Sequence, residues 1–365
     1  MKRLFTMLAT CCFLAACGKE APVEIGFIGG LTDRNADTGQ AGLNGVILAL
    51  ENFNRAGGLN GKPVGLVVRD DSQDAKVAET SARQLVRAGV AGIIGPFTSA
   101  MAEVIQPITA QAGIFEISPT LTSMNFHGKD DNLFRINRTT RDNAMDYARI
   151  MVDRGERNIA VAYDMRNRNF TVSWLEEFRA ALEQMGAKVA VAVPYESRPD
   201  TPFGAIVRKM VDAKPDGLFF ISGALDVARL SQQARRQAPD LPIGASEWAA
   251  TEQLVNLGGE VVEGLLISQN YDRNDPSPRF REFSDAYFKR FQQYPGYSSV
   301  SAYDAATVLL TALKMRRPGE TVKQSALRNN PYQGLQQTID FDQNGDTVRK
   351  VYFTEIRNGQ YVPTR

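Results

Sequence analysis

From Val23 onward the chain alternates short apolar runs with segments of helical periodicity, and that rhythm leaves few folds open. Residues 23–28 (VEIGFI) read as a strand, with Gly29 and Gly30 opening its exit loop. Leu43, Val46, Ile47, Leu50 and Phe53 then recur at helical spacing, and Gly57 and Gly58 stop that helix. A second strand is expected over residues 63–70, followed by a helix that Asp74 caps and that runs to about Ala88. The rhythm restarts with a helix over 142–153, a strand over 158–163 (NIAVAY) and a helix over 171–185 with Trp174 and Phe178 on one face. Strands at 188–194, 217–221 and 241–245 alternate with helices at 203–213 and 224–237. Further helices are expected over 279–291 and 302–316. The end of the chain reads as two paired strands, 338–341 and 351–354, around the polar turn 342–346. That turn begins like a calcium loop, but Phe353 stands where the loop's closing glutamate belongs, so a hairpin is expected. Helices of this length between strands imply mainly parallel sheets with helical cover, in two successive units.

One stretch, residues 93–122, concentrates the functional signal. Ile93 and Ile94 end a short apolar strand that Gly95 and Pro96 close, and Thr98 and Ser99 stand where a helix N-cap belongs. The helix runs to about Gln111, Gly113 ends it, and the next strand, 114–117, finishes in Ser118, Pro119, Thr120, Leu121 and Thr122. Two hydroxyl-rich turns thus follow two successive strands at their carboxyl ends, where open α/β sheets bind ligands. Hydroxyls and unpaired N–H groups at a helix start suit a carboxylate. Ordinary helix capping accounts for the same residue types, and the residues alone leave both readings open.

The amino terminus bears on compartment. Lys2 and Arg3 precede an apolar core over 4–14, and Leu14, Ala15, Ala16 and Cys17 close it. A core this short cannot span a bilayer that needs about 20 residues, so it reads as a cleaved export signal. Cys11 and Cys12 leave with that signal, so the mature fold rests on core size rather than disulfides. Without Lys2 and Arg3, 40 basic residues stand against 41 acidic ones, and no basic stripe suggests nucleic acid. His127, in a polar loop, is the only histidine, so no His/Cys metal cluster can form; GxSxG and P-loop motifs are absent. No metal, cofactor or catalytic residue is expected.

The phrases GLNGVILALENFNRAGGLNGKPVGLVVRDD, IIGPFTSA, ISPTLTS, AYDAATVL and TIDFDQNGDTVRK, in that order, resemble the leucine/isoleucine/valine-binding branch of the bacterial periplasmic binding proteins. The similarity runs from about Val23 to the carboxyl terminus. It implies a two-lobed type I periplasmic binding fold of α/β class, each lobe a mainly parallel sheet with helices on both faces, joined by three crossover strands. Signal peptide 1–16 and tether 17–22 would precede a first lobe of 23–140 plus 269–340 and a second of 141–268 plus 341–365. The resemblance further implies an amino acid or similar small carboxylate in the interlobe cleft, delivered to a permease driven by an ATPase. LAAC resembles the lipobox of bacterial lipoproteins, which implies that Cys17 is acylated and anchors the chain to a membrane facing the periplasm or cell exterior.

Carried over by position, Ser99 and Thr122 fall where the family places hydroxyls on the ligand carboxylate, and Thr120 where it uses a main-chain group. Glu247 falls where an acid meets the ligand ammonium. Phe170 replaces a usual tyrosine, and near Gly223 and Ala224 a second aromatic is missing, leaving Trp248 or Tyr297 to refill the space. Each has a plainer reading: Phe170 as core, Glu247 as a surface loop acid, Tyr297 as a packed loop aromatic. Two other functions fit the same fold, a sensory receptor that signals to a partner and an enzyme.

Overall fold

The structure, a computed structural model, describes residues 22–34 and 36–364. The export signal and Cys17 lie outside the described residues. The first unit comprises β1 (Glu24–Gly29), α1 (Ala36–Arg55), β2 (Gly65–Asp70), α2 (Ala75–Ala88), β3 (Ile93–Ile94), α3 (Ser99–Gln111), β4 (Glu116–Ser118) and β5 (Leu133–Arg135). Its five strands form one parallel sheet in the order β2-β1-β3-β4-β5. The second unit runs α4 (Thr140–Asp153), β6 (Asn158–Asp164), α5 (Arg168–Gln184), β7 (Lys188–Tyr195), α6 (Phe203–Asp212), β8 (Gly217–Ile221), α7 (Ala224–Gln237), β9 (Ile243–Ala245), α8 (Glu252–Gly258) and β10 (Leu266–Gln269). After α9 (Pro278–Phe291), α10 (Tyr297–Met315), α11 (Val322–Arg328) and the short pair β11 (Tyr332–Gln333) and β12 (Thr338–Ile339), the chain ends in β13 (Tyr352–Arg357) and β14 (Gln360–Pro363). The second sheet has the order β14-β13-β10-β9-β8-β6-β7 and is parallel except for β13 and β14. This is the two-lobed α/β architecture, crossed three times by the chain.

Local chemistry accounts for the element ends. Asp74 accepts from the N–H groups of Lys76 and Val77 at the start of α2, and Gly89, with φ of 68°, closes it in the left-handed region. Burial supplies the rest. Ile25, Phe27, Val46, Ile94, Phe115, Phe134 and Leu309 form the core of the first lobe. In the second lobe Trp174 stacks on Phe219, with centroids 4.6 Å apart, and Phe178 lies 4.9 Å from the same ring. An apolar seam joins the lobes on one side, where Leu48, Phe280, Phe283, Tyr287 and Tyr297 share a core with Val227, Leu254 and Ile267. Among the described residues no helix is long and apolar enough to cross a membrane.

Three expectations need correction. Residues 338–341 and 351–354 do not pair with each other: β12 pairs with β11, and β13 pairs with β10 and β14. The polar turn is closed by the bridge Phe341↔Thr347 and by Asp342 N donating to Asp346 O at 2.9 Å, and Asp342 Oδ1 accepts from Asn344 N and Asp346 N. The drawn boundary at 340/341 also moves. Phe341 packs on Phe134 in the first lobe's core, and Asp346 pairs with buried Arg135 and with His127 Nδ1 at 2.7 Å, so the last crossing falls between Thr347 and Tyr352. His127 is thus tied to that ion pair. Finally, α10 begins at Tyr297 rather than near Ala302. Its first turn is serine-rich and lacks apolar periodicity, yet Ser298 Oγ donates to Thr38 O at 2.6 Å and Ser299 Oγ to Gly296 O at 2.8 Å.

Helix α10 runs beside α1, and Gly45 permits the approach: a Cβ there would lie 2.3 Å from the Ser299 carbonyl oxygen. Gly45→Ala should therefore cost about 1–3 kcal/mol in chemical denaturation, as over-packing against fixed backbone does. An unchanged midpoint would show that the two helices yield.

Candidate binding site between the lobes

The carboxyl ends of β3 and β4 in one sheet and of β6 and β9 in the other give rise to loops that meet between the lobes. Phe97, Thr98, Ser99 and Thr120 from the first lobe surround a common space with Asn167, Phe170, Glu247 and Trp248 from the second. Asn270, on a crossover, and Tyr297, at the start of α10, complete the lining. Ser99, Thr120, Phe170, Glu247, Trp248 and Tyr297 are thus brought together. Thr122 is not in the lining: it is buried, its hydroxyl has no partner among the described residues, and its carbonyl accepts from Thr140 N at 2.8 Å. Gly223 and Ala224, at the start of α7, are also outside it.

On the first lobe the two turns brace each other. Ser118 Oγ donates to Pro96 O, and Thr120 Oγ1 to Phe97 O, both at 2.6 Å. Capping does not explain the residues at the start of α3. Thr98 occupies the N-cap position but makes no side-chain cap bond, and its hydroxyl donates to Gln73 Oε1 at 2.8 Å. The first turn finds its partner across the cleft instead, where Ala100 N donates to Asn167 Oδ1 at 3.0 Å. The helix N-terminus therefore faces the other lobe and holds an oxygen, as such termini hold carboxylates and phosphates.

The second lobe supplies the opposite preference. Glu247 is only 4% exposed, so it is no surface acid. Its carboxylate accepts from Asn143 Nδ2 at 2.9 Å and from Trp174 Nε1 at 3.0 Å. Burial raises its pKa, and the bonds from Trp174 and Asn143 and the charge of Arg138 oppose that rise. A carboxylate has about four acceptor sites, so two donors leave capacity for a third group. Phe170 and Trp248 meet edge-on, with centroids 5.9 Å apart at 84°, and form an aromatic wall. Phe170 also packs in the core of that lobe, so its two readings coincide. Tyr297 is 4% exposed, and its hydroxyl lies 3.5 Å from Thr38 Oγ1.

The free volume inside this lining is about 20 Å³, room for about one water molecule. The lobes touch across it: Ser123 Oγ donates to Asn169 O at 2.6 Å, Met124 N to Ser173 Oγ at 3.1 Å, and Arg34 pairs with Asp226 at 3.4 Å. Anything larger than water must part them first. Sequence reasoning missed Asn167, Asn143 and Asn270. Asn167 follows the end of β6, and the strand-end rule that marked residues 93–122 applies equally to that loop.

A family model described as periplasmic binding protein matches residues 22–360. The leucine-, isoleucine-, valine-, threonine-, and alanine-binding protein of Pseudomonas aeruginosa is 24% identical over 351 residues, which span 95% of this chain and 92% of that protein. Among solved structures, a leucine-binding protein, LivK, from Thermotoga maritima superposes with a TM-score of 0.86 at 23% identity, over 94% of this chain and 98% of that one. The branched-chain amino acid transporter substrate-binding protein LivJ from Streptococcus pneumoniae, in complex with isoleucine, gives 0.86 at 21% identity, over 94% and 99%.

The bond across the cleft is a side-chain cap supplied by the other lobe. Asn167→Ala should lower stability by about 1 kcal/mol in urea denaturation. An unaltered midpoint would show that the bond holds nothing.

Proposed function

Because the chain belongs to the periplasmic binding protein family, we propose that it is an extracytoplasmic solute-binding lipoprotein of an ABC importer and captures an amino acid or related small carboxylate between its lobes. One observation carries the ligand class: an anion-seeking helix N-terminus on one lobe and a buried carboxylate on the other line the same small space. A zwitterion satisfies both at once. Its carboxylate replaces Asn167 Oδ1 at the start of α3, beside Ser99 and the main chain near Thr120, and its ammonium meets Glu247. Phe170, Trp248 and Tyr297 bury what lies between.

The mechanism is hinge closure. A ligand that touches both lobes has more contacts in the closed form than in the open one, and that difference drives the equilibrium. Binding at about micromolar affinity needs about 8 kcal/mol net. Hydrogen bonds to charged groups contribute about 1.5–3 kcal/mol each, so a few at the two ends plus apolar burial suffice. No reacting group is needed, and the protein acts by presenting its cargo to a membrane permease coupled to an ATPase. The lipobox-like Leu14, Ala15, Ala16 and Cys17 support the lipid anchor and the exported location.

Two measurements test this reading. In calorimetry, Glu247→Gln should weaken an amino acid by about 2–3 kcal/mol, about 30- to 150-fold, and weaken its des-amino analogue much less. Equal affinity of both proteins for the amino acid removes Glu247 from the site. In cells, Cys17→Ser should move the mature protein from the membrane fraction to the soluble fraction without unfolding it. A wild-type protein that is already soluble and unacylated would refute the anchor.

A further inference from the structure

A second cavity, of about 240 Å³, adjoins the small space between the lobes. Tyr297 lines both, and the contact of its hydroxyl with Thr38 stands at their junction. Its walls come from both lobes: the first turn of α1 on one side, Thr251 and the start of α8 on the other. The polar atoms here are unlike those of a site for an aliphatic side chain. Asp37 Oδ2, Thr251 Oγ1 and Gln253 Oε1 are all enclosed and without a hydrogen-bond partner within normal geometry among the described residues, and the Thr251 hydroxyl is the one side-chain donor that faces Asp37. Asp37 Oδ2 and Gln253 Oε1 are acceptors. No lysine, arginine or histidine is in the lining, and the other acid there, Glu252, already pairs with Arg273. Burial raises the Asp37 pKa, and the Thr251 hydroxyl facing it works the other way.

Enclosed acceptors that outnumber the donors facing them are costly, and a fold keeps them where a ligand supplies the missing donors. Resting on the amino-acid reading above, we propose that this cavity receives the far end of the same ligand and that this end bears nitrogen donors: an ammonium, a guanidinium or an amide. The ligand's α-carboxylate lies at the start of α3, its α-ammonium at Glu247, and its chain passes Tyr297 to reach Asp37 and Gln253. Asp37 then sets specificity, as the carboxylate a cationic tail would pair with, and Gln253 adds a neutral acceptor from the opposite lobe. A purely aliphatic side chain would leave Gln253 Oε1 without a donor and Asp37 with the Thr251 hydroxyl as its one side-chain donor, so the site discriminates against it.

Titration calorimetry of the mature protein with ligands matched in length tests this: lysine against norleucine, and glutamine against methionine. The nitrogen-bearing member of at least one pair should bind ~10-fold or more tighter, the ratio one unpaired buried acceptor brings. Asp37→Asn should then weaken lysine ~10-fold or more if the tail is cationic. If the tail is an amide, Gln253→Leu should weaken glutamine by a similar factor, while Asp37→Asn does so less. Norleucine or methionine binding as tightly as its partner would overturn the inference and leave the amino-acid reading standing. Failure of all four where another amino acid such as leucine binds would overturn the inference alone, and failure of every amino acid would overturn both. Retained affinity for the nitrogen-bearing ligand in both variants, each folded by circular dichroism, would remove this cavity from the site.

Discussion

The first turn of α3 has no side-chain cap from its own lobe, and the Ala100 N–H at its start meets the other lobe. Thr98 turns its hydroxyl to Gln73, and Asn167 supplies the oxygen at Ala100 N from across the cleft. The surrounding arrangement serves that geometry. β3 and β4 end side by side in a parallel sheet, so the turns that follow them lie together at one edge. Ser118 and Thr120 lock those turns to Pro96 and Phe97 by short hydrogen bonds. The helix start is therefore held rigid by one lobe and satisfied by the other, and a bond of that kind changes when the lobes part.

The facing surface is built on a different principle. Glu247 is enclosed, and Asn143 and Trp174 hold it in place from within its own lobe. Trp174 is itself fixed by its stack on Phe219, so the acid is aligned by the aromatic core of the second lobe. A buried carboxylate with two donors is tolerable, and with a cation it is better satisfied. Helix dipole and carboxylate thus prefer opposite charges across one small space, an asymmetry that would orient the proposed zwitterion. The apolar seam through Phe283, Tyr287 and Tyr297 ties the lobes together through a shared core.

Much of this was legible in the sequence where apolar periodicity is strong. The helices at Ser99–Gln111 and Ala224–Gln237 and the strand Gly217–Ile221 lie where their patterns put them. The strand β5 was not legible: it has three residues, and its Arg135 is buried only because Asp346, far along the chain, neutralises it. The terminal strands were paired with each other because Asn344 and Gly345 signal a local turn. The turn forms, but β13 finds a longer ladder on β10, a non-local gain that local signals do not carry. At the cleft the hydroxyl-rich turns stand out by residue type and the acid and aromatics through the family resemblance, whereas Asn167 has neither signal, since an asparagine in a loop is ordinary until the opposite lobe is in place. The family resemblance places a ligand hydroxyl at Thr122, yet the chain carries that residue past the lining into contact with Thr140.

The proposed function requires that a ligand be held between lobes that open and close on it. Spin labels at exposed Glu103 on α3 and Glu176 on α5, placed by cysteine substitution in a mature chain with Cys17 replaced by serine, would report the separation directly. Pulsed dipolar spectroscopy without ligand should give a broad or two-peaked distance distribution. Saturation with whichever of lysine or leucine binds in calorimetry should collapse it to its shorter component. A distribution identical with and without a bound amino acid would contradict the account.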